Sequence, residues 1–367
     1  MRNACILIGK NINLGFDKSV STLTDCFSQH GYFLEEIRFL SFRSAEKFRE
    51  DLQSLKRDFD NLLLITEKSG LGAVKRYMLP AFEDKHVKNS YGEAAIYEDN
   101  GKVALLLSAD DSETGLTYLK NVGIPFLQNK YGRLEKSVIR TMGMPEYLAD
   151  DLMTEVGRLC KGKMQVNRFR KYDEEVVEIV YDNNTPKMLA DDVLRRLMDG
   201  FGDTVYALEA TSLEEQLVAL LKLRGKKLSV AESFTGGGLA RRIVSVPGAS
   251  EVYFEGLNTY NEASKMKRLG VAEFTLRSRT AVSDQTAYEM ALGLLNTGDC
   301  DISISTTGLA GPKSDRLGQP VGLCYIAVGT KERITVYRYT LDGSRTEITE
   351  KAINYALFLA CKRLKNL

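Results

Sequence analysis

Only two histidines, His30 and His86, occur in the 367 residues, and tryptophan is absent. Chemistry placed beyond residue 86 therefore has no imidazole of its own, and a nucleophile there needs another base. The six cysteines, at positions 5, 26, 160, 300, 324 and 361, are scattered singly. With no CxxC or Cys/His cluster, neither a disulfide framework nor a structural zinc site is supported, and reduced, mostly buried thiols are expected. Charge of one sign is missing too: 50 Lys and Arg face 49 Asp and Glu. That balance offers no electrostatic footprint for nucleic acid or an anionic membrane. No run approaches the ~18 apolar residues that span a bilayer. The opening Met1–Gly9 has too short an apolar core for a signal peptide and reads as a first strand, so a cytoplasmic location is expected.

What is present is an ordinary globular composition, 44% hydrophobic and 27% charged, which excludes a disordered chain. The length implies two or three domains. The first half alternates strand candidates (Ala4–Gly9, Tyr32–Arg38, Asn61–Thr66, Glu93–Tyr97, Val103–Ser108) with amphipathic helices, the rhythm of a mostly parallel sheet covered on both faces. Around 134–172 the pattern reads as helical and polar. A small βαβ-like piece follows over Val176–Leu208. Ser212 and Glu215 form a capping-box signature, which places the main boundary there. A second α/β pattern runs from 213 to a long last helix, Arg345–Leu364. The expected architecture is α/β: two three-layer domains with mostly parallel sheets, at 1–168 and 213–367, joined by a small α+β segment at 169–210. From residue 211 onward 21 basic residues face 16 acidic ones, whereas 29 face 33 before it. The mildly basic second half fits an anionic small substrate.

The most informative segment is Leu228-Ser229-Val230-Ala231-Glu232-Ser233-Phe234-Thr235-Gly236-Gly237-Gly238, an apolar strand running into a Ser/Thr/Gly turn and a helix. Such a turn exposes unpaired helix N–H groups, and its glycines let backbone approach an oxyanion or phosphate. A simple helix cap at Ser233 or Thr235 is the plainer reading. The P-loop spacing is missing. A second strand end carries Tyr260-Asn261-Glu262-Ala263-Ser264-Lys265. In a histidine-free half, a lysine with its neutral form favoured by burial can serve Ser233 as base. Tyr260 would pass the proton or hold Lys265, although each residue alone also fits an ordinary surface role. A third strand end, Ser305-Thr306-Thr307-Gly308-Leu309-Ala310-Gly311-Pro312, again collects hydroxyls and flexible backbone. Three such ends in one domain point to a shared ligand cleft.

The 213–367 region resembles the CinA C-terminal domain, the nicotinamide-nucleotide amidohydrolase (NMN deamidase, PncC-like) family. That family's AES-x-TGG is present as Ala231–Gly237, VPGAS as Val246–Ser250, AVS as Ala281–Ser283, TG-x-AGP as Thr307–Pro312 and PVG as Pro320–Gly322. Its YSNEAK reads Tyr260–Lys265, keeping the Tyr-to-Lys spacing. The resemblance implies Ser233 as nucleophile with Lys265 and Tyr260 assisting. Backbone N–H groups at Thr235, Gly236 and Gly237, or at Thr307 and Gly308, would then hold the oxyanion, and the other glycine-bearing loop, Gly311 included in the second, would bind the ribose phosphate with a basic side chain. It implies no metal or cofactor, a pyridine nucleotide as small-molecule partner, and a homodimer. Three departures stand out: Ser-Asn-Glu-Ala becomes Asn261–Ser264, Phe234 replaces a cysteine, and the loop 313–318 is altered.

Residues 1–210 resemble more faintly the MoaB/MogA-like, molybdopterin-binding-like half of full-length CinA proteins, followed by a KH-like piece. In some members this half hydrolyses ADP-ribose with a metal. Here the GTELLLG stretch is Gly9–Gly15, GGLGPT is Ser69–Val74 and LPGVP is Leu107–Asp111, with the hard-metal carboxylates replaced. The expectation is a first domain that keeps the fold without the pyrophosphatase. The expected reaction of the second is hydrolysis of the nicotinamide mononucleotide carboxamide. A nucleotide-binding or sensing scaffold with lost or secondary chemistry is the alternative.

Overall fold

The computed structural model describes residues 1–9, 17–41, 44–82, 94–110, 112–315 and 317–366. Lys10–Gly15 of the Gly9–Gly15 stretch, Glu93, Asp111, His86 and Arg316 lie outside them. The chain divides into two compact units. One comprises 1–136 with 163–165 and 180–190, and the other comprises 137–162, 166–179 and 191–367. Among the described residues no helix is long and apolar enough to cross a membrane. All six cysteines are buried and unpaired.

The first unit carries a five-stranded sheet in the order Leu34–Ser41, Asn3–Gly9, Asn61–Thr66, Lys102–Ser108, Ala95–Asp99. The first four strands are parallel and the last is antiparallel to its neighbour. Asn61–Thr66 is buried throughout, as a central strand covered on both faces must be. Phe48, Leu52, Val74 and Met78 pack one face, and Leu23, Phe27, Tyr118 and Leu127 the other. Ser69–Val74 lies inside the helix Lys68–Ala81 rather than in a loop, and Asp110 accepts from the Lys68 N–H near its start.

A second, four-stranded sheet runs Gln165–Lys171, Glu174–Asp182, Leu134–Met142, Val205–Ala207. Elements on both sides of residue 168 thus share one sheet, and Gln165–Lys171 straddles the expected edge of the small segment. The stretch read as helical and polar is strand, helix (Glu146–Cys160) and strand. Its strand periodicity is hidden because polar strand residues are matched across the sheet. Arg140 pairs with Glu174 at 2.8 Å and donates to the Tyr206 hydroxyl at 3.2 Å.

The third sheet runs Tyr253–Asn258, Leu228–Glu232, Ile302–Gly308, Leu323–Gly329, Ile334–Thr340. Its first three strands are parallel, and the last two join antiparallel. The last strand must run antiparallel to Leu323–Gly329, because the four residues that join them are too few for a crossover. The helices Leu213–Arg224 and Arg345–Lys365 cover one face through Leu217, Leu221, Ile353 and Leu357, packed on Val230, Ile304 and Ile326. The helices Glu262–Leu269, Glu273–Arg279 and Asp284–Asn296 cover the other through Leu269, Leu276, Met290 and Leu294. The Ser212/Glu215 capping box forms as the spacing requires. Leu228–Glu232, parallel to both neighbours, ends where Ser233 begins, a switch point of the kind where open α/β sheets meet ligands.

Candidate active site

Ser233 leaves the end of its strand with its N–H bonded to the Thr306 carbonyl at 3.0 Å, which ties it to the adjacent strand. Lys265 is the fourth residue of the helix Glu262–Leu269, which Asn261 caps by accepting from the Ala263 N–H. That placement drives the lysine inward, where it is 1% exposed. Its Nζ lies 2.9 Å from the Ser233 Oγ and 2.7 Å from the Thr259 carbonyl oxygen. Thr259 is fixed in turn by its N–H bond to the Glu232 carbonyl at 2.7 Å. Burial pushes Lys265 from 10.5 down to about 8, opposed by the weaker pull of Glu262. Serine and lysine, 32 positions apart in the chain, are therefore hydrogen-bonded to each other.

The structure does not bring Tyr260 to this pair. It is 63% exposed, and its hydroxyl meets Arg345 Nη2 at 3.5 Å. The holding role expected of it falls to the Thr259 carbonyl one position earlier. Arg345 also donates to the Gly311 carbonyl at 2.7 Å, so one exposed guanidinium joins the 311 loop, Tyr260 and the start of the last helix.

The Gly-rich turn differs from the expected open helix start. Gly236 and Gly237 have φ of 61° and 93°, a backbone that side-chain-bearing residues rarely adopt. The helix N–H groups they lead into are already taken. The buried Glu232 carboxylate accepts from Gly237 at 3.1 Å, Leu239 at 3.0 Å and Ala240 at 2.8 Å. Gly236 and Gly238 donate to the Ser233 and Thr235 carbonyls. Among the described residues, no acceptor meets the Phe234 and Thr235 amides of this turn. The Thr235 hydroxyl bonds Thr306 Oγ1 at 2.7 Å, bracing the turn against the next strand.

Thr307 and Gly308 serve the framework. The Thr307 hydroxyl donates to the Ala281 carbonyl at 2.5 Å, and a Cβ on Gly308 would sit 2.5 Å from that of Cys324. Gly311, at φ 80°, precedes a cis peptide to Pro312. Sequence reasoning missed Glu232, Thr259, Phe234 and Arg345. A signal existed for Glu232, a carboxylate just before a glycine-rich helix start, where the helix dipole favours negative charge. Among the described residues no group of His, Cys, Asp and Glu is placed to hold a metal ion.

Comparison with known proteins agrees with the motif pattern. The family model described as "CinA C-terminal domain" matches residues 210–364. A relative from Caldicellulosiruptor saccharolyticus, named for competence-damage inducibility, is 33% identical over 295 residues, 76% of this chain and 69% of its own. A similarly named relative from Clostridium acetobutylicum is 30% identical over 334 residues, 88% of this chain and 80% of its own. Among solved structures, a CinA superfamily protein from Klebsiella pneumoniae 700603 is similar at 29% identity and a TM-score of 0.41, covering 42% of this chain and 97% of its own.

Proposed function

Since the chain belongs to the CinA family, we propose that its C-terminal domain hydrolyses the carboxamide of nicotinamide mononucleotide to nicotinate mononucleotide and ammonia. The observation that carries this reading is the buried Lys265 Nζ 2.9 Å from the Ser233 Oγ, with no carboxylate of the described residues hydrogen-bonded to it. Neutral Lys265 takes the serine proton as Oγ attacks the carboxamide carbon. The developing oxyanion meets the free N–H groups of Phe234 and Thr235, and one such donor is typically worth about 3 kcal/mol in the transition state. Lys265 then passes the proton to the amide nitrogen, which leaves as ammonia. Water attacks the acyl-serine with Lys265 again as base, and collapse returns the proton to Ser233 and frees the carboxylate. The anionic end of the nucleotide has Arg345 to meet, because Glu232 neutralises the helix start. The cycle calls on no cofactor or metal, and the working form in this reading is a homodimer, which light scattering checks.

The test is ammonia release from nicotinamide, its riboside, its mononucleotide and NAD by wild type and Ser233→Ala. Loss of release in the variant is expected. Equal rates remove Ser233 as nucleophile, and nucleotide binding without turnover leaves a sensing scaffold. For the first domain we propose no pyrophosphatase activity, supported by Ser69–Val74 lying within a helix. Metal-dependent ADP-ribose hydrolysis by the Ser233→Ala chain would overturn that.

A further inference from the structure

The outer edge of the third sheet carries a second constellation. Along the edge strand Ile334–Thr340, alternation puts Thr335, Tyr337 and Tyr339 on one face, all half-buried. On the last helix, Phe358 and Lys362 follow each other at a spacing of four, beside Arg363. Between strand and helix lies a cavity of about 420 Å³, with the exposed Arg333 in its lining. That volume falls within the roughly 300–1,000 Å³ of small-molecule sites. Its lining holds three cationic side chains and three aromatic rings, and no carboxylate among the described residues.

The cations are only partly employed. Arg363 donates through Nη2 to the Thr330 hydroxyl at 3.0 Å, but its buried Nε has no partner. Lys362 lies 5.5 Å from the centroid of the Phe358 ring. Its carboxylate neighbour, Asp203, stands 3.8 Å away and is fully exposed, so the pair is weak in water. The cationic end is remote from Ser233. Ile334 pairs Gly329, and Gly329 pairs Ser303 beside Ser229, the opposite end of the strand that leads into the nucleophile. Lys362 sits 17 residues beyond Arg345, about 25 Å along one helix at 1.5 Å per residue.

We propose that this groove is a second ligand site, for a mononucleotide-sized anion that pairs a planar ring with a phosphate. Guanidinium and ammonium groups match phosphate oxygens, and the half-buried Tyr337 offers a ring to the base, while Tyr339 is stacked on Tyr355 at 4.3 Å and Phe358 lies under Lys362. The site is separate from the Ser233 cleft and holds whatever that cleft catalyses.

Isothermal titration of the full chain with adenosine 5′-monophosphate, adenosine and inorganic phosphate tests it. The monophosphate is expected to bind at least tenfold tighter than either fragment. Arg333→Gln combined with Lys362→Gln, both near the surface, is expected to weaken it at least tenfold with an unchanged melting temperature, while Arg345→Ala leaves it unaltered. Absence of binding at millimolar monophosphate overturns the proposal, as does binding indifferent to the double substitution. Binding abolished by Arg345→Ala assigns it to the Ser233 cleft and overturns it equally. If the double variant instead disrupts self-association without changing monophosphate affinity, the groove belongs to a second copy of the chain.

Discussion

Replacing Lys265 by methionine separates the chemistry of the site from its cost to the fold. With its ionisation near 8 rather than 10.5, about a tenth of the lysine is neutral at pH 7, against roughly 0.03% for an unperturbed side chain. Burial thus multiplies the available base a few hundredfold. The same drop corresponds to about 3 kcal/mol of native-state penalty on the ammonium. Its sign follows from proton binding. Between about pH 8 and 10.5 the unfolded chain holds the proton and the native one does not, so this group makes stability rise with pH across that window. Below pH 8 both states are protonated and the whole penalty is present. Lys265→Met keeps the stem and removes the charge. It is expected to abolish ammonia release and to stabilise the domain at pH 7 by up to about 3 kcal/mol, less what the bonds to Ser233 and Thr259 contributed. The gain should shrink towards pH 10.5. Urea unfolding of both proteins at pH 7 and pH 10 measures the stability arm. The rate arm is kcat/KM for ammonia release from pH 6 to 9.5, expected to climb about tenfold per unit and level off above 8. A flat wild-type profile, or a variant retaining more than a tenth of the rate, would refute lysine as base. A variant less stable at pH 7 than at pH 10, relative to wild type, would refute the burial penalty.

Glu232→Gln removes the charge from three backbone N–H bonds and is expected to cost about 2–3 kcal/mol, seen as a melting temperature lower by roughly 5–10 °C. Tyr260→Phe should change kcat less than about threefold, since the ring is exposed and away from Lys265; a loss of about 100-fold would restore its catalytic role. Phe234→Ala empties a side chain packed among Ala310, Cys324, Leu341 and Ile348, and is expected to cost about 3–5 kcal/mol in denaturant titration. Thr235→Val strands the buried Thr306 hydroxyl and should cost about 1–3 kcal/mol by the same measurement.

The pairing of Ser233 with Lys265 was legible because the lack of histidine left few bases and the motif spacing put both residues at adjacent strand ends. The partner that holds the lysine was not, because a Thr259 carbonyl is a main-chain group that every residue carries. Within the expected anion seat at Thr235–Gly237 the Gly237 amide is taken by Glu232, which was hidden for a related reason: periodicity locates a helix start, but a carboxylate five to eight residues upstream in bonding distance emerges only when the turn closes. Likewise Leu134–Met142 did not read as a strand, since Arg140 is matched by Glu174 across the sheet rather than by alternation along the chain.

The Glu232 carboxylate has a bearing on inhibitor design. A compound whose anionic warhead is aimed at the glycine-rich helix start would find that seat filled from within the protein and would meet a buried negative charge. The polar handles left without a protein partner at the turn among the described residues are the Phe234 and Thr235 amides, with the exposed Arg345 beyond them. On the proposed reaction, a compact electrophile carrying a distal anion is therefore expected to inhibit better than a phosphate mimic alone.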